Sequence, residues 1–471
     1  MRKTHRRGKA RRNSIVAALA LLAGGGGLVA VNAAANASNT APDATTLSAP
    51  SRTVSCPRVE GRLPAIPSRA KAEVTRNLAL LDTQIAEANS RIATTRGRGG
   101  PDFVGNAVLG PLKDKRVATL ERIAIAIGRV ASKPTGLEAL APCTLSTGGG
   151  NGTTAPSSPA AGSGGSRQNG AGVARVDGPA ASDFVDITKV APNIRQAPAR
   201  AGASTGTFDS RCGTNQRGQH NSDNDIVAPG VVNGAHHVHD YIGNKDVSAT
   251  STNESLIRQD TTCTNGDRSA YYWPVLRDLT KSGPDADSAL GGGKEGNVGA
   301  VLVPSSVSVT YKGSLTGKVV AMPQFLRIIT GDAKAATNGA ANANSRWSCT
   351  GFERRVELTD KYPLCPKGSR VVRKFRFQNC WDGRNIDSAD HRSHVAFADP
   401  ATGACPAGFV AIPQLTMRLV YKVPSGPNYA VDGFLGQGHK AITDHDDFIE
   451  VMSPRLMAKA VKCINSGRRC G

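Results

Sequence analysis

The run Leu415-Thr-Met-Arg-Leu-Val-Tyr-Lys-Val423 indicates most directly which kind of fold the chain adopts. Apolar residues alternate along it with mostly polar ones, and a period of two is typical of a strand with one buried face. Similar short runs precede it, many of them rich in β-branched or aromatic residues: Val298–Val303, Val307–Tyr311, Lys318–Met322, Phe325–Thr330, Val371–Phe377 and His394–Ala398. Helical patterning is sparse around them, and Ser453–Cys463 is the best candidate for a helix.

Residues 180–471 are therefore predicted to form one domain of the mainly β class, large enough for a substantial core. Short strands separated by turn residues favour a sandwich or jelly-roll-like pair of sheets. The connections between the strands are long, and we expect the functional residues to lie on these loops.

The start of the chain has the order of a secretory signal peptide, so we expect residues 1–37 to be removed on export. A basic region without acidic residues is followed by an apolar stretch, 15–31, and by the small residues Ala35-Asn36-Ala37. An uncleaved transmembrane anchor is the alternative, but the apolar core is short and contains Gly24–Gly27. No later stretch is long and apolar enough to span a bilayer. The mature chain is thus predicted to be secreted, with the cell wall as one expected location.

The ten cysteines agree with export, because an even number in an exported chain indicates disulfides. No Cys-x-x-Cys pair is present, which argues against a zinc ribbon or a thioredoxin-like site.

The chain is strongly basic, with a formal net charge of +21 that falls to +14 without the seven basic residues of the signal segment. Such a surplus favours anionic partners, among them cell-wall polymers and acidic extracellular polysaccharides. Nucleic acid is not favoured, since no helix-turn-helix, RNP-like or zinc-finger pattern occurs.

A helical module is predicted ahead of the β domain, at residues 56–143. Two apolar patterns at helical spacing begin at Ser68 and Leu112 and lie between Cys56 and Cys143. They predict a helical hairpin closed by a Cys56–Cys143 disulfide, which either contacts a partner or the wall, or serves only as a spacer. Small polar residues predict a disordered tether at 38–55, and the Gly/Ser/Pro-rich segment 144–179 predicts a flexible linker.

Histidines mark the candidate site, because eight of the nine lie in the last half or so of the chain. His237 and His239 are two apart, so on a strand both would point to the same face and could reach one metal ion. His391 and His394 are three apart and become neighbours only if their segment turns. Asp390 and Asp447 accompany these histidines in sequence; other histidines in this half are His220, His236, His439 and His445.

A series of motifs follows in a fixed order between about residues 208 and 463. It includes Asp225-Ile-Val-Ala-Pro229-Gly230, His237-x-His239, Asp260-Thr-Thr-Cys263, Ser269-Ala-Tyr-Tyr-Trp273, Cys380-Trp-Asp-Gly383, Asp390-His-x-x-His394 and His445-x-Asp-Phe448. Together they resemble the DUF1996 family, an exported bacterial and fungal domain of unknown function. Gln324 departs from the glycine usual in that family, and Cys405-Pro406 lacks the histidine that often follows it. The resemblance implies a class and a location rather than an activity.

The leading functional hypothesis is a metal centre built from histidines, with Asp390 or Asp447 orienting an imidazole. The predicted ligands are His237, His239, His391, His394 and His445. Neutral imidazoles suit zinc or copper, and an open coordination position would allow hydrolysis or oxidation of a cell-wall or extracellular polysaccharide.

Two alternatives need no metal, and whether the protein is an enzyme stays open. In the first, His391 or His394 works with Asp390 or Asp447 as general acid and base on a glycan. In the second, the domain is a non-catalytic module that binds glycans or has a structural role. The predicted ligand-binding residues are Tyr272, Trp273, Trp381 and Asp382, with Tyr271 beside them.

Overall fold

The computed structural model describes residues 52–94, 104, 108–147, 178–195, 197–388, 390–434 and 436–471. The predicted signal peptide and most of the predicted tether and linker lie outside these residues. Residues from Pro50 to Gly471 belong to one compact unit. No helix in the described ranges is both long enough and apolar enough to cross a membrane.

The strands are short and numerous. In chain order they are β1 (Arg52–Ser55), β2 (Thr144–Thr147), β3 (Phe184–Asp186), β4 (Thr207–Ser210), β5 (His220–Asn221), β6 (His239–Gly243), β7 (Ala270–Pro274), β8 (Leu276–Asp278), β9 (Ala300–Leu302), β10 (Ser306–Lys312), β11 (Arg327–Gly331), β12 (Arg346–Cys349), β13 (Tyr362–Leu364), β14 (Val371–Arg376), β15 (Cys380–Trp381), β16 (Val395–Ala396), β17 (Val410–Ala411), β18 (Gln414–Tyr421), β19 (Tyr429–Val431), β20 (His445–Ile449) and β21 (Arg469–Cys470). The α-helices are α1 (Ser68–Thr94), α2 (Gly110–Gly128), α3 (Asn253–Arg258), α4 (Ala335–Asn338) and α5 (Pro454–Asn465). The prediction of a mainly β domain is confirmed, and the sandwich or jelly-roll-like detail stays a prediction.

Helices α1 and α2 pack on each other through Val74, Leu81, Leu120, Ile123 and Ile127. The Cys56–Cys143 disulfide predicted from the sequence is present beside them. The ends of the expected tether and linker differ from the prediction, because residues 52–55 and 144–147 pair as the antiparallel strands β1 and β2. Backbone hydrogen bonding next to a disulfide orders segments whose composition alone favours disorder.

Two larger sheets dominate the β region. One has six strands in the order β12-β14-β18-β10-β4-β21, and the other has five in the order β11-β20-β7-β6-β5. The run that begins at Leu415 is the central strand β18, whose Leu415, Met417, Leu419 and Tyr421 are buried. Its period of two therefore predicts its buried face correctly.

One core joins the two sheets, since side chains of both belong to the same buried cluster. Hydrogen bonds cross it between the Tyr271 and Tyr311 hydroxyls (2.6 Å) and from Trp273 Nε1 to the Tyr421 hydroxyl (3.0 Å). On the opposite face of the five-stranded sheet, Tyr241, Tyr272 and Ile449 lie in a second buried cluster. Both faces of this sheet are thus covered.

Two other sequence predictions can be compared with the structure. The predicted helix near Ser453–Cys463 is α5, and the Ser453 side chain accepts a hydrogen bond from the Leu456 backbone N–H (3.2 Å). The predicted strand Lys318–Met322 was wrong. Backbone groups of this segment bond instead to the Asn465 side chain and to the Ala411 carbonyl, so no ladder forms.

Five disulfides pair all ten cysteines, which is the arrangement expected of an oxidising compartment. Besides Cys56–Cys143 they are Cys212–Cys263, Cys349–Cys365, Cys380–Cys405 and Cys463–Cys470.

A buried ion pair ties the six-stranded sheet to the five-stranded sheet. Arg373 on β14 donates from Nε to Asp444 Oδ2 (3.1 Å) and from Nη1 to the Pro274 carbonyl (2.9 Å). Both charged side chains are fully buried. Asp444 immediately precedes β20, so this pair fixes where that strand begins.

We expect Asp444→Asn to lower the free energy of unfolding by about 3–5 kcal/mol, because it leaves the Arg373 charge buried without its carboxylate. Urea denaturation of wild type and variant measures this. The matched control is Asp260→Asn, whose carboxylate is 83% exposed beside Lys245 and whose loss should cost less than about 1 kcal/mol. Equal effects of the two substitutions would contradict a structural role for the buried pair.

Candidate metal centre

Three histidine side chains converge at one buried point. The Nε2 atom of His237 lies 3.1 Å from Nε2 of His239 and 3.2 Å from Nε2 of His445. All three residues are buried, and their ligand atoms all lie within 4.8 Å of one another. The structure therefore contains a group that could hold a metal ion.

Strand register brings two of these histidines together on the face of the five-stranded sheet that points away from the six-stranded sheet. His239 begins β6 opposite Pro274 of β7, and His445 begins β20 opposite Gly331 of β11. Gly331 has φ +92°, and a Cβ there would lie 2.4 Å from the Asp444 carbonyl oxygen. Only glycine allows β11 to approach His445 this closely.

His237 reaches the cluster from the loop before β6. His236 has φ +56°, a left-handed conformation that is uncommon outside glycine. The backbone N–H of Val238 donates to Asp432 Oδ2 (3.2 Å), and Arg277 donates from Nη2 to the same carboxylate oxygen (2.9 Å). A buried ion pair thus holds the backbone between the two ligands.

Hydrogen bonds to carbonyl oxygens set the tautomers of two rings. The Nδ1 atom of His239 lies 3.0 Å from the Asp223 carbonyl oxygen, and that of His445 lies 3.0 Å from the Thr443 carbonyl oxygen. Because a carbonyl oxygen only accepts, each Nδ1 carries the proton and each Nε2 presents its lone pair to the centre.

Burial keeps these rings neutral. It lowers the pKa of His237 and His239 well below the ordinary value, and the neighbouring histidines act in the same direction. Burial also lowers the pKa of His445 to about 4, against the hydrogen bond to the Thr443 carbonyl. Neutral imidazole is the form that binds a metal ion.

A buried carboxylate lies beside the cluster. Asp447 Oδ2 is 4.0 Å from Nε2 of His239, and both side chains are fully buried. Burial raises the pKa of Asp447 to about 7, although Arg392 and the Asn224 side chain oppose this. Asp225 also has a pKa raised to about 7 by burial. It opens one of the motifs quoted above, but the sequence gave it no place among the candidate site residues.

The cluster lies at the inner end of a cavity of about 540 Å³. His237, His445 and Asp447 line it, and so do the exposed residues Lys113 and Asp390, so the cavity reaches the surface. Phe434 forms part of its wall, with its ring 5.3 Å from that of His237.

The other two predicted ligands lie apart from the three converging nitrogens. His391 lines the same cavity, and its Nδ1 lies 2.9 Å from Asp387 Oδ1. His394 instead links its loop to β11, with Nε2 2.6 Å from the Arg327 carbonyl oxygen and Nδ1 2.8 Å from the Ser388 hydroxyl. His394 is therefore positioned to hold a loop rather than to bind a ligand.

Asp390 organises the loop that carries both histidines. Its Oδ1 accepts hydrogen bonds from the Ser388 hydroxyl and from the backbone N–H groups of Arg392 and Ser393. Partial burial raises its pKa, but these bonds, led by the Ser393 N–H, lower the pKa well below the usual range. A carboxyl group that stays ionised is not suited to the role of general acid.

The predicted sugar-binding aromatics are not available for stacking. Trp273 and Tyr271 lie fully buried in the core between the two large sheets. Tyr272 is also fully buried, stacked on Tyr241 with ring centroids 5.1 Å apart, and its ring lies 5.3 Å from that of His239. Stacking on a sugar needs an exposed ring face, and these rings have none because both sides of β7 are covered.

Trp381 and Asp382 stabilise a turn. Trp381 Nε1 donates to the Asn385 carbonyl (2.7 Å), and Asp382 Oδ1 accepts from the backbone N–H groups of Arg384 and Asn385 (2.9 Å each). Trp381 also packs against the core. Their side chains thus have structural partners where ligand contacts were predicted.

Among the described residues, one further group has metal-ligand spacing: Cys212, Cys263 and Asp267. Its two cysteines form a disulfide, so their thiolates are not available to a metal ion.

Residues 224–451 match the model of a family described as Domain of unknown function (DUF1996). The match confirms the resemblance inferred from the motifs, over a somewhat shorter stretch. It includes His237, His239, His445 and Asp447, and it excludes α1 and α2. No curated protein and no solved structure matches the chain.

We expect the substitution Asp447→Asn to have a pH-dependent effect on the metal-free protein. The folded-state pKa of about 7 lies above the ordinary 3.8, so wild type loses stability as pH rises through this window. Asparagine does not ionise, so the free energy of unfolding of the variant relative to wild type should rise by roughly 3 kcal/mol from pH 5 to pH 8.

Urea denaturation after chelation measures this difference, and Asp390→Asn is the control. Its folded-state pKa is lowered, so its stabilising contribution is complete above the ordinary value and should not change between pH 5 and 8. A flat profile for Asp447→Asn would show that Asp447 is not kept neutral.

Proposed function

Through residues 224–451 the chain belongs to the DUF1996 family, and we propose that it is a metal-dependent hydrolase acting on an extracellular polysaccharide. In this proposal His237, His239 and His445 hold zinc, with copper as the second candidate. The observation that carries it is the convergence of three neutral imidazole nitrogens at the inner end of a cavity that reaches the surface.

The spacing of the nitrogens fits a tetrahedral ion. With Zn–N bonds of about 2.0–2.1 Å, tetrahedral ligand nitrogens lie roughly 3.3–3.4 Å apart. The two Nε2 separations from His237 are 3.1 and 3.2 Å. Since His239 and His445 both present lone pairs, a single proton on His237 cannot satisfy both contacts at once, and a shared cation can.

The number of ligands favours a catalytic over a structural ion. Structural zinc sites are closed by four protein ligands, whereas catalytic sites have three and keep a position for water or substrate. Among the described residues only three ligand atoms converge, and the cavity lies next to them. When bound, the metal supplies Lewis acidity and lowers the pKa of water.

Asp447 is positioned to accept a proton. It lines the cavity, and its carboxylate approaches the histidine cluster to within 4.0 Å at His239. A general base must lie within reach of the proton that it removes, either directly or through one water molecule. We assign this role to Asp447, and to His391 the role of contacting the substrate farther along the cavity.

The polysaccharide part of the proposal is supported by the basic surplus of the mature chain and by the signal-like start of the sequence. A non-catalytic glycan-binding module is the second candidate. It draws less support, because Tyr271, Tyr272 and Trp273 are fully buried and offer no stacking face.

We expect the demetallated protein to bind about one equivalent of Zn²⁺ or Cu²⁺. Alanine at any one of His237, His239 or His445 should weaken metal binding by more than roughly tenfold. Removal of a group that only hydrogen-bonds to a metal ligand already costs about that much. Equilibrium dialysis with elemental analysis measures occupancy. His220→Ala is the matched control, since His220 pairs with Asp240 and lies outside the cluster. Wild type without stoichiometric metal would refute the centre.

Asp447→Asn should retain the metal but lose hydrolysis by about 10²–10⁴-fold, the contribution typical of a positioned general base. The readout is release of new reducing ends from a panel of wall and extracellular polysaccharides. Asp399→Asn, on an exposed turn, is the control expected to keep full activity. Unchanged hydrolysis in Asp447→Asn would remove this residue from the mechanism. Polymer binding without cleavage by metal-loaded wild type would favour the binding module.

A further inference from the structure

Helix α2 forms one wall of the histidine cavity, although it lies outside the family match. Gly110, Lys113, Val117, Ala118 and Glu121 all line this cavity. These positions recur every three or four residues, so one face of the helix points to the cavity. No pattern in the sequence predicts this contact, because about a hundred residues separate α2 from His237.

Ion pairs fix this wall to the β region. Arg122 of α2 and Arg129, which caps its C-terminus, both contact Glu295 Oε1, the second at 2.9 Å, and the Glu295 side chain is 1% exposed. Asn233, in the loop before His237, donates to both carboxylate oxygens of Glu295 (3.1 Å each). Without α2 the buried carboxylate of Glu295 would lose both of its arginines, so the helix is an integral part of the site.

Three acidic groups of the cavity wall already have partners within the protein. Glu121 pairs with Lys334, Oε1 to Nζ, at 2.7 Å. Asp332 accepts from the Lys334 backbone N–H (2.8 Å) and from the Asn338 side chain (3.1 Å). Asp390 is satisfied by the groups of its own loop. These carboxylates have little capacity left for a cationic ligand.

Two cations of the wall, Lys113 and Arg392, take part in none of the ion pairs among the described residues. Lys113 is exposed and has no ion pair within 4 Å to any side chain that the structure describes. Arg392 donates from Nη2 to the Gly331 carbonyl (2.8 Å), whereas its Nη1 has no hydrogen-bond partner among the described protein atoms. Together with a metal ion at the histidines, they offer an anionic ligand one cation at the mouth of the cavity and one near its base.

We infer that α2 selects the ligand of this cavity and that the ligand is an acidic glycan, with carboxylate groups that meet Lys113 and Arg392. This inference rests on the proposed function and narrows its substrate to an anionic polysaccharide. Lys113, on the exposed part of α2, meets the ligand first, and Arg392 lies deeper, beside the histidine cluster. The helical module is then a specificity element rather than a spacer.

The test compares two probes of equal length, an oligogalacturonate and an uncharged cello-oligosaccharide, by calorimetric titration of the zinc-loaded full chain. Wild type should prefer the acidic probe. Lys113→Glu should reduce that preference by about tenfold, through reversal of one charge at the cavity. Arg392→Gln should reduce it as well, and neither substitution should change the metal stoichiometry, which is measured in parallel.

The matched control is Lys71→Glu, which makes the same change of net charge at an exposed position of α1 away from the cavity lining. It should leave the preference within about twofold of wild type, because salt screens distant surface charges. An equal loss of preference in Lys71→Glu would show that general surface charge causes the effect, and it would overturn the inference. The inference would also be overturned if wild type bound the two probes equally or bound neither. Loss of stoichiometric metal with a retained acidic preference would instead refute the metal centre alone.

Discussion

The geometry of the candidate site depends on the buried contact of Arg373 with Asp444 and with the Pro274 carbonyl. Arg373 belongs to the six-stranded sheet, whereas both of its partners belong to the five-stranded sheet or its edge: Pro274 ends β7, and Asp444 precedes β20. Asp444 immediately precedes His445, and Pro274 lies opposite His239 in the ladder. One guanidinium group therefore sets the spacing of two ligands from the far side of the core, and its planar fork suits this task better than a lysine would.

A second buried arginine does the same for the remaining ligand. Arg277 holds Asp432, and Asp432 accepts the N–H of Val238, the residue between His237 and His239. Neither ion pair needs to add net stability, since burying two charges costs about as much as their attraction returns. Their effect is to define positions, and a metal site requires ligand atoms fixed to within a few tenths of an ångström.

The sequence predicted the part of this arrangement that local spacing encodes. The spacing of His237 and His239 indicated two ligands that could reach one metal ion, and His445 was named with them from its motif. The structure brings the three side chains together. The spacing of His391 and His394 was uninformative, because their segment is a loop in which His391 takes φ +52°. There, three residues of separation do not place side chains on a common face. The apolar pattern from Leu112 predicted helix α2 itself, but its contact with the cavity could not be predicted, since only tertiary packing brings it there.

The aromatic residues of β7 also show that local sequence does not predict which side chains tertiary packing buries. The run Tyr271-Tyr272-Trp273 supplied aromatic residues for the predicted glycan-binding surface. Alternation along β7 sends Tyr271 and Trp273 into the central core and Tyr272 to the opposite face. A strand has only these two faces, so a strand covered on both sides buries every ring. The six-stranded sheet covers one face of β7, and residues such as Ile226 and Leu256 cover the other.

The buried polar groups of the site lower the stability of the folded chain, and the surrounding structure compensates for this loss. Three desolvated imidazoles, two of which direct lone pairs at Nε2 of His237, oppose folding of the metal-free chain. Asp225 and Asp447, whose pKa burial raises to about 7, do so as well. Five disulfides and a core shared by two sheets stabilise the elements that hold them. A metal ion would relieve the repulsion among the lone pairs directly, so binding and folding should be coupled at this point. The start of β20, from His445 to Asp447, is therefore held in position from two sides. Arg373 holds it from the core through Asp444, and a metal ion at the histidines would hold it from the cavity.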